Sequence, residues 1–187
     1  MGMSHETAEE LFGTLQMFDR VLRWGFRAHH QPDDPGPGGQ ATLFYLLRNE
    51  PARAKDIAEW LGIGAAPQSR QLADLEQNGL ISREPDPDDA RAARIRLTED
   101  GRATVLALRE RRITVIQQAL SGMDAQAADA AVGSLRGVVE EMREGLAEMI
   151  GRPGTRCSTP PPSTQALPAV DAQRPAPTAD ADSKNTA

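Results

Sequence analysis

The chain has 187 residues, a net charge of -6 and a single cysteine. One cysteine excludes a disulfide framework and fits a reducing compartment. The acidic balance excludes a chain that coats nucleic acid by bulk charge, leaving only a local basic strip for that purpose.

Residues 151–187 read GRPGTRCSTPPPSTQALPAVDAQRPAPTADADSKNTA, rich in Pro, Ala, Ser and Thr. So few large apolar residues cannot offset the entropy of ordering, so this stretch is expected to be a disordered tail. Residues 1–150 then make one domain by length. The N-terminal MGMSHETAEELFG has neither a basic flank nor an apolar run, so it does not read as a signal peptide. Nor does any stretch approach the roughly 20 apolar residues of a membrane span. A cytoplasmic protein is expected, with no membrane partner.

The first predicted helix runs from about His5 to Ala28. Leu11, Leu15, Phe18 and Leu22 recur at spacings of four, three and four, on one helical face. It ends at HHQPDDPGPGGQ, whose Pro and Gly residues cannot continue it. A second helix is expected from about Gln40 to Asn49, and a third from Ala54 to Leu61, closed by Gly62 as a left-handed cap. A fourth runs from about Ala66 to Asn78. Pro67 is tolerated in its first turn, where a missing N–H costs nothing, and Gly79 ends it.

Two short segments follow, Leu80–Arg83 and Arg94–Leu97, the second alternating polar and apolar as a half-buried strand does. Between them lies EPDPDDARAA, which predicts a protruding loop on a two-stranded ribbon. Thr98 then caps a helix running to about Leu120, with Glu99 and Asp100 at the positive end of its dipole. A last helix, about Asp124 to Ile150, sets Leu135, Val139, Met142, Leu146 and Met149 at alternating four and three spacings.

Two short helices, a third helix and a β-ribbon make an α/β winged helix-turn-helix, mainly α with a small wing. The DNA major groove admits one helix presenting side chains from its N-terminal end, braced by the helix before it. With Leu72 and Leu75 turned inward, the outward side of the fourth helix carries Pro67, Arg70, Asp74 and Gln77, flanked by Ser69 and Gln71. Arg70 suits bidentate contact with guanine. Arg91, in the wing, suits a narrow minor groove, and of Arg94 and Arg96, both facing outward on the strand, one suits a phosphate. The duller alternatives are a solvated Arg70 and an Arg91 that only pairs with Asp89.

The run AKDIAEWLGIGAAPQSRQLADLEQNGLISREPDPDDARAARIRLTEDGR resembles the MarR family of bacterial regulators. The resemblance lies in Leu75-Glu76-Gln77-Asn78-Gly79-Leu80, then Arg83, then Asp86-Pro87-Asp88-Asp89-Ala90-Arg91, then Leu97-Thr98-Glu99-Asp100-Gly101. It implies a homodimer held by helices from both termini (residues 5–30 and 98–150), with a DNA-binding lobe at 40–97. It also implies that Ser69 and Arg70 contact bases and that Arg91 is the wing arginine. The partners it implies are double-stranded DNA, a second copy of the chain, and a small aromatic or phenolic effector. Trp24, Arg27, His30 and Tyr45 are the candidates for lining that effector's pocket.

Three features depart from the family pattern. Gly64-Ala65-Ala66 replaces the polar cap before the fourth helix, Gln68 takes a position usually apolar, and Asp74 places an acid where phosphate would be repelled. The competing reading follows from that acid and from the net charge: a winged module that has lost DNA and docks on a protein. No nucleophile–base pair, carboxylate pair, phosphate loop or metal spacing argues for an enzyme or a cofactor. His29-His30 with Asp33-Asp34 matches no tight metal site. Cys157, in the tail, lacks the electropositive setting of a thiol sensor.

Overall fold

The computed structural model describes residues 2–89 and 92–150. The tail expected at 151–187, with Cys157, and the wing arginine Arg91 lie outside the described residues. Among the described residues the elements run in order α1 (His5–Ala28), α2 (Pro37–Asn49), β1 (Ala52–Arg53), α3 (Ala54–Leu61), α4 (Ala65–Gln77), β2 (Ile81–Pro85), β3 (Ala93–Leu97), α5 (Glu99–Ala119) and α6 (Ala125–Ile150).

Two sequence expectations change. The wing sheet has three strands rather than two, in the order β1-β3-β2 and antiparallel throughout. Ala52 and Arg53 pair with Ile95 and Arg94, and a two-residue strand is too short for periodicity to reveal. Helix α2 starts at Pro37, earlier than Gln40. The same prolines and glycines that stop α1 open α2, because proline at the first helical position gives up a donor without a partner.

The core of the lobe is one cluster. Leu43 and Leu46 of α2, Ile57 of α3, Leu72 and Leu75 of α4, Ile81, Ile95 and Leu97 of the sheet, and Val105 and Leu108 of α5 pack together. Gly62 closes α3 with φ 65°, and Gly79 turns out of α4 with φ 69°. The Leu80 amide then donates back to the Leu75 carbonyl at 2.9 Å, the reversal that a left-handed residue permits. Thr98 joins this turn to α5: its hydroxyl donates to the Gly79 carbonyl at 2.6 Å and accepts from the Gly101 amide at 2.9 Å. A Cβ on Gly101 would sit 1.8 Å from the Leu80 carbonyl oxygen. Only glycine fits there.

The terminal helices are different. Helix α1 buries no residue, and Phe12, Met17, Phe18, Val21 and Trp24 stand exposed on it. On α6, Val132, Leu135, Val139, Met142, Leu146 and Met149 are exposed as well. Among the described residues no helix is long and apolar enough to cross a membrane.

Candidate nucleic-acid interface

Helix α4 has its N-terminal turn in the open. Gly64 precedes it and supplies no side-chain hydrogen bond to the first turn, so the amides there remain available. Pro67, Ser69, Arg70, Asp74 and Gln77 are exposed, while Leu72 and Leu75 face the core. Arg70 forms no ion pair among the described residues.

Its neighbours on the same helix behave otherwise. Gln71 is half-buried and turned against the start of α2, so close that a Cβ on Gly38 would lie 2.1 Å from its Nε2. It therefore stands apart from the exposed strip of Ser69 and Arg70. Gln68 is fully buried, 1% exposed, and neither its Oε1 nor its Nε2 has a hydrogen-bond partner among the described residues.

The wing arginines are held by carboxylates. Arg83 Nε donates to Glu76 Oε2 at 2.8 Å, and Arg96 Nε to Glu84 Oε2 at 2.8 Å. Arg94 Nε lies 3.3 Å from Asp86 Oδ2, and its Nη2 donates to Asp88 Oδ2 at 2.8 Å. Arg94, expected to reach a phosphate, is braced within the wing.

Asp86 is the hub of that bracing; the sequence marks it only as the first residue of the Asp86–Arg91 stretch and assigns it no role. Its side chain is fully covered. Oδ2 accepts from Arg53 Nε at 2.6 Å, and Oδ1 accepts from the Asp88 amide at 2.9 Å. The hydrogen bond from Arg53 does most to hold the Asp86 carboxyl well below the usual carboxylate range, with the Asp88 amide next, against the opposing effect of burial. The same contact pushes the Arg53 guanidinium up. Arg53 opens α3, so one ion pair couples the first helix of the helix-turn-helix to the base of the wing.

The four residues expected to line an effector pocket do not share one cavity. Trp24 borders an apolar groove between α1 and α5 with Val21, Phe26, Val115 and Ile116. His30 lies in a separate crevice with Phe26, Gln40 and Arg112. Tyr45 packs on Trp60 of α3, ring centroids 5.3 Å apart, and burial, with Asp56 and Glu59 nearby, pushes its hydroxyl up. Arg27 is exposed near the end of α1.

Arg112, unremarked in the sequence, holds the centre of this region. Its guanidinium lies 4.8 Å from the Phe26 ring and 4.5 Å from the Phe44 ring. It also donates to Gln40 Oε1 at 2.7 Å. Arginine between two aromatic faces is a cation–π arrangement, and it joins α1, α2 and α5. Asp34 accepts from the Gln31 amide at 2.8 Å and pairs with Arg111, fixing the loop before α2. Among the described residues no group of three or more His, Cys, Asp or Glu is placed to hold a metal ion.

Comparison with known proteins places this geometry. Residues 41–93 match the family model described as MarR family. The chain is 34% identical over 91 residues to the uncharacterized HTH-type transcriptional regulator YxaD of Bacillus subtilis, covering 46% of this chain and 64% of that protein. It is 28% identical over 84 residues to the HTH-type regulator YdgJ of the same organism, covering 45% and 51%. The matches thus span between half and two thirds of these relatives. A MarR family protein from Bacillus stearothermophilus superposes with a TM-score of 0.67 at 22% identity, over 75% of this chain and 99% of that one. MepR, a regulator of the Staphylococcus aureus multidrug efflux pump MepA, superposes with a TM-score of 0.57 at 21% identity, over 75% and 99%. The fold is that of these winged-helix regulators.

Proposed function

We propose that this chain, with its MarR-type winged lobe, is a DNA-binding transcriptional regulator that works as a homodimer on a near-palindromic operator and answers to a small effector. The observation that carries the reading is the contrast between Arg70 and the other arginines around it. Arg53, Arg83, Arg94 and Arg96 are each paired with a carboxylate, whereas Arg70 stands exposed on the second turn of α4 with no ion pair among the described residues. A cation left unneutralised on an acidic chain fits an anionic partner, and its place in the N-terminal half of an exposed helix fits the major groove.

The dimer is supported by the apolar stripes of α1 and α6, which the single chain leaves in water. Contiguous apolar surface on that scale marks an interaction site. Two α4 helices related by a two-fold axis would meet half-sites about one DNA turn apart.

The test is fluorescence anisotropy with labelled DNA flanking the chain's own gene. Binding near 10⁻⁸ M, on the order expected for a specific site, should weaken steeply as salt rises. Failure to bind that DNA at low ionic strength would overturn the proposal and favour the alternative, a winged module docking on a protein, to which exposed Asp74 lends support.

A further inference from the structure

We infer that His30 is a proton-driven switch: on taking up a proton it exchanges Gln40 for Asp34 and loosens the lobe from α1, which weakens the hold on an operator. The consequence for DNA rests on the DNA-binding reading above; the exchange of partners does not.

The side-chain amide of Gln40 is oriented by two neighbours that leave it no choice. Arg112 Nη2, a donor only, lies 2.7 Å from one end, which is therefore the oxygen Oε1. The Pro35 carbonyl, an acceptor only, lies 2.8 Å from the other end, which is therefore Nε2. That same Nε2 lies 3.4 Å from His30 Nδ1. An amide nitrogen only donates, so Nδ1 must accept, and an imidazole nitrogen accepts only when it carries no proton. The arrangement is built for a neutral His30 with its proton on Nε2.

A second proton turns Nδ1 into a donor, and two donors then face each other. Gln40 cannot turn its oxygen towards the ring without giving up Arg112 and Pro35 together. The acceptor within reach is Asp34 Oδ2, 3.7 Å from Nδ1 and nearly covered, with 8% of its side chain exposed. It already accepts from the Gln31 amide, and an ionised carboxylate oxygen has room for a second donor. A charge-assisted bond needs about 2.7–2.9 Å, so the ring must shift towards the loop. The other titratable or charged groups around it are Arg111 and Arg112 of α5, with His29 beside it on the chain. The two arginines repel a charged ring, but Arg111 pairs with Asp34 and Arg112 is bound to Gln40. His29 Nδ1 is turned back to the Gly25 carbonyl at 2.9 Å.

The joint lies between the terminal helices and the lobe. His30 follows α1, Arg112 stands on α5, and Gln40 lies in the first turn of α2. Just before Gln40, Gly38 and Gly39 pack on Gln71 and Leu75 of α4. Losing the bond from Gln40 to His30 frees the start of α2, and with it α4, from the end of α1. Two α4 helices less firmly spaced hold a two-part operator less well, because binding must then supply the cost of fixing them.

Two measurements on the full chain test this. The first is nitrogen NMR of the imidazole and side-chain amides between about pH 8 and pH 5, where histidine changes charge. Without DNA, the neutral ring should carry its proton on Nε2, and the Gln40 amide signals should move with the same midpoint as His30. In His30→Asn, which keeps a neutral acceptor near the Nδ1 position, the Gln40 signals should stay still. The second is the ratio of affinities for operator and random DNA, since acid makes any chain more positive and tightens all DNA alike. Over the same range that ratio should fall about fivefold or more in the wild type, the lower end of ordinary coupling between sites. In His30→Asn it should stay constant. A neutral ring protonated on Nδ1, or a Gln40 amide indifferent to His30, overturns the proposal. So does an operator preference that is flat or rising in acid, or one that falls just as far in His30→Asn. A chain that binds no DNA at any pH defeats the DNA reading instead, and the NMR result still decides the exchange of partners.

Discussion

Arg53 Nε donates to Asp86 Oδ2 at 2.6 Å, across 33 positions of sequence. This bond ties the start of α3 to the root of the wing. Asp86→Asn should keep the size of the side chain yet weaken both arginine contacts, leaving Arg53 and Arg94 with one fewer anion. The expected outcome is a lower thermal midpoint and a several-fold loss of DNA affinity, with helix content unchanged by circular dichroism. The sign of its pH dependence is fixed by the direction of the shift. The folded carboxyl titrates below its unfolded value, so its stabilisation is present above about pH 4 and is lost as pH falls from there. Wild type and Asp86→Asn should therefore converge in stability in acid and diverge at neutral pH. Parallel curves would show that the pair contributes nothing.

Gln68 offers the opposite case. Both ends of its amide are buried without partners among the described residues, and leaving such groups unsatisfied costs about 1–3 kcal/mol. Gln68→Met is close in volume and carries no group to satisfy. It should raise the thermal midpoint by roughly 2–8 °C, given the usual slope for domains of this size. Because the side chain does not reach the exposed strip of α4, DNA affinity should stay within twofold. A drop in stability would mean that the amide has a partner, such as a buried water.

What the sequence made legible was whatever repeats or caps. The periodic helices α1, α5 and α6, the left-handed Gly62 and Gly79, and the Thr98 cap were all readable, because each imposes a local rule on neighbouring residues. The third strand was not, since Ala52 and Arg53 become a strand only when Ile95 and Arg94 arrive from far along the chain. The site divides in the same way. Ser69 and Arg70 follow from helical phase alone, but Gln71 turns inward because Gly38 leaves room for it. That Arg94 is braced rather than free depends on Asp86 and Asp88 folding back under it. Long-range pairs of this kind leave no periodic trace.

Arg70 and Arg94 should separate cleanly in binding experiments. Arg70→Ala is expected to lose about 1–3 kcal/mol of discrimination between operator and random DNA, the value of one bidentate base contact, with no change in thermal midpoint. Arg94→Ala should lower the midpoint through the loss of its Asp86 and Asp88 contacts, and weaken both kinds of DNA together. If Arg70→Ala reduces specific and non-specific binding equally, Arg70 contacts phosphate and not a base.

Gly101→Ala tests the joint between the wing and α5. The added methyl would fall 1.8 Å from a backbone oxygen, that of Leu80. A flexible side chain could swing away; a carbonyl fixed by the Gly79 turn and by the Thr98 amide at 3.2 Å cannot. Overpacking of this kind costs typically about 1–3 kcal/mol, and more where backbone must shift. The variant should unfold at lower denaturant concentration, despite alanine being the better helix former. Stabilisation would show that the first turn of α5 can slide.

The terminal helices carry the most demanding prediction. Val139 and Met142 lie on the exposed apolar stripe of α6, three residues apart and thus on one face. In a lone chain, Val139→Glu or Met142→Glu should be harmless or even favourable, since each replaces apolar surface already in water. In a dimer each would place a charge within a closely packed apolar interface, where an unpaired carboxylate is costly. Sedimentation should therefore show the wild type at twice its chain mass of 20.2 kDa and the variants shifted towards a single chain. The core around Leu43, Ile57 and Val105 is remote from the stripe, so the lobe should stay folded. DNA affinity should fall to the non-specific level, because one α4 alone reads half a site. A variant that remains dimeric with unchanged operator affinity would move the interface off α6.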